Sequence, residues 1–324
     1  MLHEYLSTWF LSEARAIAWL QNWPNLVVIT RWFTDVAYGT IPFVIAVIAC
    51  CFCWRRAIIL GTIYGLAIYL NSVLKFALGS PRPFWISDAV NEWAGSGGFG
   101  MPSGHVLEAS VTWLGIAFLF PSKWSYLLAF TLTALMGFSR VYLGVHFFLD
   151  VLLGWGIALL LAFIGTRDMS TSRIVTVNNL SRIVWILVLL VSLTGTAVVL
   201  WELCNSRKLP SSWPSGLQDV TSLNGVFKGM AILVGILYGS GFELERKLST
   251  CSRGKGMQLI VLAYTVISIW VLSEVSSYVS HIVNGVGRYV LQAVIQWGCI
   301  ALIIAHVVPL LFSQLAKSGS AQKE

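Results

Sequence analysis

The chain contains 324 residues, of which 57% are hydrophobic and only 11% are charged. Apolar runs long enough to cross about 30 Å of hydrocarbon recur along it, so the composition predicts a polytopic helical membrane protein and excludes a soluble globular core. The net charge of +7 arises from 21 Lys and Arg against 14 Asp and Glu; in a membrane protein this excess reflects topology, and no nucleic-acid partner is expected.

The N-terminal segment, residues 1–35, is rich in tryptophan and in charged residues. Its tryptophans are Trp9, Trp19, Trp23 and Trp32. This mixture predicts an amphipathic segment that lies in the headgroup layer, and an ordinary loop with scattered aromatic residues is the alternative. The segment lacks the basic start and uninterrupted apolar core of a cleavable signal peptide.

Nine apolar stretches follow and predict an all-α bundle of about nine transmembrane spans. They are residues 36–54, 57–78, 104–121, 124–143, 146–166, 183–203, 224–242, 257–280 and 289–312. Glycines of the seventh stretch, among them Gly225 and Gly229, are spaced to let that helix pack closely on a neighbour. Lys228 and Glu274, at or near membrane depth, suggest an ion pair between the seventh and eighth spans.

The distribution of basic residues predicts the topology of these spans. More Lys and Arg residues lie in the segments on the side of the C-terminus, which places the C-terminus in the cytoplasm and the N-terminus outside. The same arrangement brings Lys75, Ser103 and the turn from Arg140 to His146 to one non-cytoplasmic face.

A first polar cluster stands near the end of the second span. Lys75 is followed by Arg82, and Pro81 and Pro83 stiffen the backbone around the arginine. Two cations held in this way suit a phosphate group, the arginine as a planar fork and the lysine as a point charge. A structural role is also open for each, since Lys75 can snorkel to the interface and Arg82 can be a surface loop charge.

A second cluster opens the third span with Pro102, Ser103, Gly104 and His105. Ser103 is a favourable N-cap, and the first amides of a helix form an anion site. Gly104 lets the backbone approach a ligand closely. His105 then lies where it can donate or accept a proton, although a lone Ser-Gly or a lone interfacial His is often structural.

A third cluster joins Arg140, at the end of the fourth span, to His146 and Asp150. The last two are four residues apart and share a helix face, so the carboxylate can hold one ring nitrogen while the other faces a substrate. This is the arrangement that a nucleophilic imidazole needs. A buried structural His–Asp pair is the alternative.

Together the clusters form the patterns KxxxxxxRP, PSGH and SRxxxxxHxxxD, in this order, within residues 75–150. They resemble the three signature motifs of the type 2 phosphatidic acid phosphatase superfamily of integral membrane phosphatases. The resemblance implies a six-helix phosphatase core and a hydrolase that works without a cofactor or a metal ion.

The resemblance also implies roles for the matching residues. His146 would attack phosphorus and form a phosphohistidine, with Asp150 orienting it. His105 would protonate the leaving oxygen and then activate water. The phosphoryl oxygens would be held by Lys75, Arg82, Ser103, Gly104 and Arg140.

The expected substrate is a lipid phosphate monoester or diphosphate of the phosphatidic acid, phosphatidylglycerophosphate, sphingoid-base phosphate or polyprenyl diphosphate type. A glucose-6-phosphatase-like hydrolase is an alternative, because Phe84 and Trp85 after Arg82 and the nine predicted spans resemble that branch. Asp150 is atypical of it. A lipid transporter with a vestigial phosphate site is a further alternative, although no inverted repeat is visible.

The resulting organisation has four parts. Residues 1–35 form the interfacial segment, 36–167 the catalytic transmembrane core, 168–313 additional spans, and 314–324 a polar cytoplasmic tail. Membrane lipids surround the protein, and the oligomeric state is left open.

Overall fold

The computed structural model describes residues 2–48, 54–167, 195, 213, 221–244, 255–282 and 291–303. Every regular element within these ranges is helical, which confirms the predicted all-α class. The chain divides into two compact units.

The first unit comprises Met1–Gly39, Leu70–Ile164 and Gly195–Gly225. Its complete elements are α1 (Leu2–Leu20), a 3₁₀ turn (Pro24–Leu26), α2 (Val27–Gly39), α5 (Pro83–Ile86), α6 (Gly104–Leu119) and α7 (Lys123–Tyr142). It also contains the C-terminal part of α4, a helix that spans Trp54–Leu78 in full, and most of α8, which spans Phe148–Arg167 in full. All three motif clusters belong to this unit.

The second unit comprises Thr40–Tyr69, Gly165–Thr194 and Val226–Glu324. Its described elements are α3 (Ile41–Val47), the first part of α4, most of α9 (Thr221–Leu244), α10 (Lys255–Ile282), a π-helical turn (Ala293–Gly298) and α11 (Cys299–Leu302). Within it, α9 packs closely on α4, because a Cβ at Gly229 would stand 2.6 Å from the backbone nitrogen of Tyr69. The expected role of Gly229 in close packing is confirmed.

The start of α7 illustrates how local sequence sets the helix ends. Ser122 follows Pro121, and its Oγ accepts a hydrogen bond from the Ser125 amide at 3.0 Å, while the Ser125 Oγ accepts one from the Ser122 amide at 2.9 Å. This reciprocal capping satisfies amides that have no partner inside the helix.

The N-terminal helices pack against the motif region. In α1, Ala14 and Ile17 are fully buried while Trp9 and Trp19 are exposed, so the helix has a buried and an exposed face. The Gln21 Nε2 donates hydrogen bonds to the carbonyl oxygens of Asn91 at 2.8 Å and of Tyr142 at 3.1 Å. The location of this segment in the headgroup layer stays a prediction.

The first predicted span, residues 36–54, is not one continuous helix in its described part. The helix α2 ends at Gly39 and α3 begins at Ile41. The reason is Pro42, which has no N–H to donate to the carbonyl four residues earlier. The predicted span, which starts at residue 36, therefore begins inside α2 and runs across the break between α2 and α3.

Two described stretches are long and apolar enough to cross a membrane, Arg56–Ile86, whose main part is α4, and Phe148–Arg167. Three shorter apolar helical stretches are Gly104–Leu119, Gly225–Ile236 and Leu262–Ser276. Large apolar side chains cover the outer faces of α7 and α8, among them Phe130, Leu160 and Ile164, which are each more than half exposed. The count of nine spans is not confirmed, and the sixth span and the tail 314–324 lie outside the described residues, apart from Gly195.

Candidate active site

The residues of the three motif clusters converge because backbone groups from distant segments bond to one another. The Ser103 amide donates to the Asp150 carbonyl oxygen at 3.1 Å, which joins the start of α6 to the start of α8. The Gly100 amide donates to the Ser80 carbonyl oxygen at 2.9 Å. The loop between α5 and α6 is thereby fastened to the segment that precedes Arg82.

The predicted pairing of His146 with Asp150 is present. The His146 Nδ1 lies 3.2 Å from the Asp150 Oδ2, and this oxygen also accepts the Phe147 amide at 3.0 Å. His146 is 2% exposed and Asp150 is fully buried. Since Nδ1 is engaged, Nε2 is the nitrogen left for a substrate, and the role of nucleophile stays a prediction.

Arg82 is brought into the cluster, but its guanidinium is directed at backbone carbonyl oxygens. Its Nε donates to Gly98 at 2.8 Å, one terminal nitrogen to Val145 at 2.7 Å, and the other to Gly97 at 2.8 Å and to Phe99 at 3.2 Å. Arg82 therefore ties the loop 97–99 to the turn before His146. Its predicted contact with phosphate is not tested by this geometry.

Lys75 stands in the last turn of α4 and reaches the same loop. Its Nζ lies 2.5 Å from the Phe99 carbonyl oxygen and 3.4 Å from that of Gly100. Both cations of the first cluster thus bind the Phe99 carbonyl oxygen. Their positive charges are concentrated where the loop passes the site, which favours an anion nearby.

Several buried polar atoms around the motifs have no hydrogen-bond partner among the described residues. They are Asn71 Oδ1, Ser80 Oγ, Ser103 Oγ, Arg140 Nε and Asp150 Oδ1. Ser103 occupies the N-cap position of α6 as predicted, yet its hydroxyl makes no capping bond. Buried polar atoms are normally paired, so a concentration of unpaired ones marks a place for a polar ligand.

Two glycines allow the backbone to pass close to this place. A Cβ at Gly100 would stand 2.5 Å from the Pro81 carbonyl oxygen and 3.0 Å from the Asp150 Oδ2. A Cβ at Gly104 would stand 2.8 Å from the Asn71 Nδ2. Neither position has room for a side chain unless its neighbours move, as expected for a backbone that approaches a ligand or a buried carboxylate.

His105 lies half-buried in the first turn of α6, beside a pair of residues that sequence reasoning missed. The Tyr38 ring packs on the imidazole with ring centroids 4.3 Å apart. The Tyr38 hydroxyl donates to the Glu108 Oε2 at 2.7 Å. The signal available in the sequence was Glu108 itself, an acidic residue inside an apolar predicted span.

Glu13 on α1 is another residue near the site that the sequence motifs did not reveal. Its Oε2 accepts the Phe148 amide at 3.2 Å, at the N-terminus of the helix that carries Asp150. Burial raises the pKa of this carboxyl above its ordinary value, while the hydrogen bonds from Phe148 and Trp9 act in the opposite direction.

The described residues contain no group of three or more His, Cys, Asp or Glu side chains that could hold a metal ion.

The chain is similar in sequence to known proteins. The sequence model of the PAP2 superfamily matches residues 56–174, which include all three motif clusters. Phosphatidylglycerophosphatase B of Bacillus subtilis (strain 168) is 31% identical over 156 residues, which are 44% of this chain and 74% of that protein.

Two further proteins match over a shorter part of the chain or with lower sequence identity. Undecaprenyl-diphosphatase of Sulfolobus acidocaldarius is 30% identical over 116 residues, which are 36% of this chain and 56% of that protein. The crystal structure of a transmembrane PAP2-type phosphatidylglycerolphosphate phosphatase from Bacillus subtilis is 27% identical, with a TM-score of 0.42, and covers 52% of this chain and 96% of that one. On the extent of the match to phosphatidylglycerophosphatase B and to the superfamily model, the chain belongs to the PAP2 superfamily.

Proposed function

We propose that the protein is an integral membrane phosphatase that hydrolyses a lipid phosphate monoester or diphosphate through a phosphohistidine at His146. The observation that carries the proposal is the buried His146–Asp150 pair, with the Asp150 Oδ2 3.2 Å from the His146 Nδ1. Unpaired buried polar atoms of Ser103 and Arg140 belong to the second and third motif clusters. Together they supply a nucleophile and donors for a phosphoryl group.

The reaction proceeds in two steps. The lone pair of His146 Nε2 attacks phosphorus, the bond from phosphorus to the lipid oxygen breaks, and that oxygen keeps the bonding electrons and takes a proton from His105. Water then attacks phosphorus and gives a proton to His105, while the bond from phosphorus to His146 Nε2 breaks and its electron pair returns to the imidazole. Inorganic phosphate and free His146 result. Ser103, the Gly104 amide and Arg140 stabilise the charge on the phosphoryl oxygens, together with Lys75 and Arg82.

A lipid is the favoured substrate for two reasons. The relatives phosphatidylglycerophosphatase B and undecaprenyl-diphosphatase are named for a glycerophospholipid phosphate and a polyprenyl diphosphate. The exposed apolar faces of α7 and α8 fit surroundings of lipid, from which such a substrate arrives by lateral diffusion. We further propose that the site faces the non-cytoplasmic side and that the C-terminus is cytoplasmic, as the charge distribution predicts.

Phosphate release by the full-length protein in detergent tests the proposal. Phosphatidic acid, a polyprenyl diphosphate and glucose 6-phosphate are offered side by side with EDTA present. The variant His146→Ala is compared with His3→Ala, a matched loss of an imidazole on α1. We expect release from a lipid in the presence of EDTA, abolished in His146→Ala and retained in His3→Ala.

The other results have definite meanings. Preferential release from glucose 6-phosphate assigns the protein to the sugar-phosphate alternative. Lipid release that EDTA abolishes overturns the metal-free mechanism. Absence of release from all three substrates, with the fold intact, overturns the phosphatase proposal and directs attention to lipid transport in reconstituted vesicles.

A further inference from the structure

Glu108 is a buried carboxylate that the proposed reaction does not yet use. It lies on α6, three residues after His105, and only 5% of its surface is exposed. An acidic side chain inside an apolar helix is costly unless it is hydrogen-bonded. Glu108 meets this requirement at least in part, because its Oε2 accepts the Tyr38 hydroxyl at 2.7 Å.

The position of Glu108 links it to the first turn of α6. Residues three apart on a helix share a face, so the Glu108 carboxylate lies on the same side of α6 as the His105 imidazole. Its other oxygen, Oε1, is 3.5 Å from the point where a Cβ at Gly104 would stand. The carboxylate therefore extends toward the N-terminus of the helix, where the phosphate-binding candidates are located.

Tyr38 connects Glu108 to His105 from outside the helix. Its ring lies on the imidazole at a centroid distance of 4.3 Å and an interplanar angle of 33°, while its hydroxyl bonds to the carboxylate. Tyr38 comes from α2, near the point where that helix ends at Gly39. One side chain thus restricts the ring of His105 and holds the carboxylate that shares its helix face.

We propose that Tyr38 and Glu108 are positioning residues for His105, which hold its imidazole in the orientation that delivers a proton to the leaving oxygen. The inference rests on the proposed function, in which His105 is the general acid of the first step. The Glu108 carboxyl group also lies on the helix face of a ring that becomes positively charged when it takes the proton from water in the second step, and in its ionised form it stabilises that charge. Neither residue touches the reacting atoms.

The inference predicts a dependence on the leaving group. When the bond from phosphorus to oxygen breaks, an alkoxide needs a proton at once, whereas 4-nitrophenolate is a stable anion that leaves without one. Poor positioning of His105 therefore slows the cleavage of an alkyl phosphate and spares that of 4-nitrophenyl phosphate. A structural disturbance of the site would slow both.

The test is single-turnover release of the alcohol or the phenolate, which reports the first step alone, by full-length protein in detergent. The substrates are a short-chain phosphatidic acid and 4-nitrophenyl phosphate, with Glu108→Gln and Tyr38→Phe as variants. Ser110→Ala, a buried polar substitution on the same helix, is the matched control. We expect roughly a 10- to 100-fold slower release of the alcohol in Glu108→Gln, a smaller loss in Tyr38→Phe, and rates for the phenolate close to those of wild type.

Each other result overturns one specific claim. Equal slowing of both substrates, or no slowing of either, in a folded Glu108→Gln overturns the positioning role. If that variant does not fold, Tyr38→Phe decides on the same criterion, because it keeps the ring and removes only the hydroxyl. A failure of the proposed function looks different, since His146→Ala would then release both products as fast as wild type.

Discussion

The carboxylate of Glu13 accepts a hydrogen bond from the backbone amide of Phe148 at 3.2 Å, across 135 positions of the sequence. The amide belongs to the first turn of α8, whose N–H groups lack partners within the helix. The rings of Phe10 and Phe147 are in contact beside it, with centroids 4.8 Å apart. The helix α1 therefore supports the segment that carries His146 and the first turn of α8, which carries Asp150.

Removal of this support should lower stability. Glu13→Ala loses the bonds to the Phe148 amide and to the Trp9 Nε1, and we expect a loss of about 1 kcal/mol in the free energy of unfolding. Glu13→Gln keeps an acceptor for the amide and should lose less. Denaturation in detergent measures both, and equal stability of wild type and Glu13→Ala would contradict the capping role.

The same carboxyl predicts a pH dependence. Burial raises its pKa in the folded protein above the ordinary value of 4.5, so the folded state binds its proton more tightly than the unfolded state. The stability that this proton contributes is present below that ordinary value and is lost as the pH rises through the raised pKa. We expect the melting temperature of Glu13→Gln to gain on that of wild type over this interval, and melting curves that stay parallel would refute the coupling.

Asp150 should be essential for turnover. In Asp150→Asn the buried partner of His146 loses its charge, and we expect kcat to fall by at least about 10²-fold while the fold survives. Phosphate release, with trapping of the acid-labile phosphohistidine, measures the effect. Asp88→Asn, an exposed change in the loop between α5 and α6, is the control and should retain full activity.

The variant Arg82→Lys tests whether Arg82 is needed for its hydrogen bonds to backbone carbonyl oxygens or only for its positive charge. A lysine has no fork and cannot reproduce the bonds to the carbonyl oxygens of Gly97, Gly98, Phe99 and Val145. We expect faster proteolysis of the loop 97–100 and a loss of about 1–3 kcal/mol in stability. Arg31→Lys, at an exposed site on α2, should change neither, and a fully stable Arg82→Lys would show that charge alone is required.

Gly144 should not tolerate a side chain. Its φ of +76° lies in the left-handed region, and an added Cβ would collide with the Asn91 carbonyl oxygen. We expect Gly144→Ala to cost about 1–3 kcal/mol. Gly156→Ala on α8, where a Cβ meets nothing within 4 Å, should be neutral or slightly stabilising, so equal melting temperatures for the two variants would be inconsistent with this role.

The convergence of the motif clusters could be predicted because it follows from helix order and from spacing within single helices, as for His146 and Asp150. The contacts of Glu13, Gln21 and Tyr38 could not be predicted. They depend on how two N-terminal helices pack against residues more than 60 positions later, and no local pattern encodes that packing. The break between α2 and α3 at Thr40 could have been predicted from Pro42. The span was placed across it because the residues on both sides are apolar.

The hydrogen bonds that the Gln21 side chain donates have a consequence for biogenesis. Its amide bonds to the Tyr142 carbonyl oxygen, 121 positions further along the chain. At a translation rate of about 5–20 residues per second, Gln21 leaves the ribosome roughly 6 to 24 seconds before Tyr142 does. During that interval the apolar face of α1 needs a temporary cover, and a bilayer surface beside the insertion machinery can provide it.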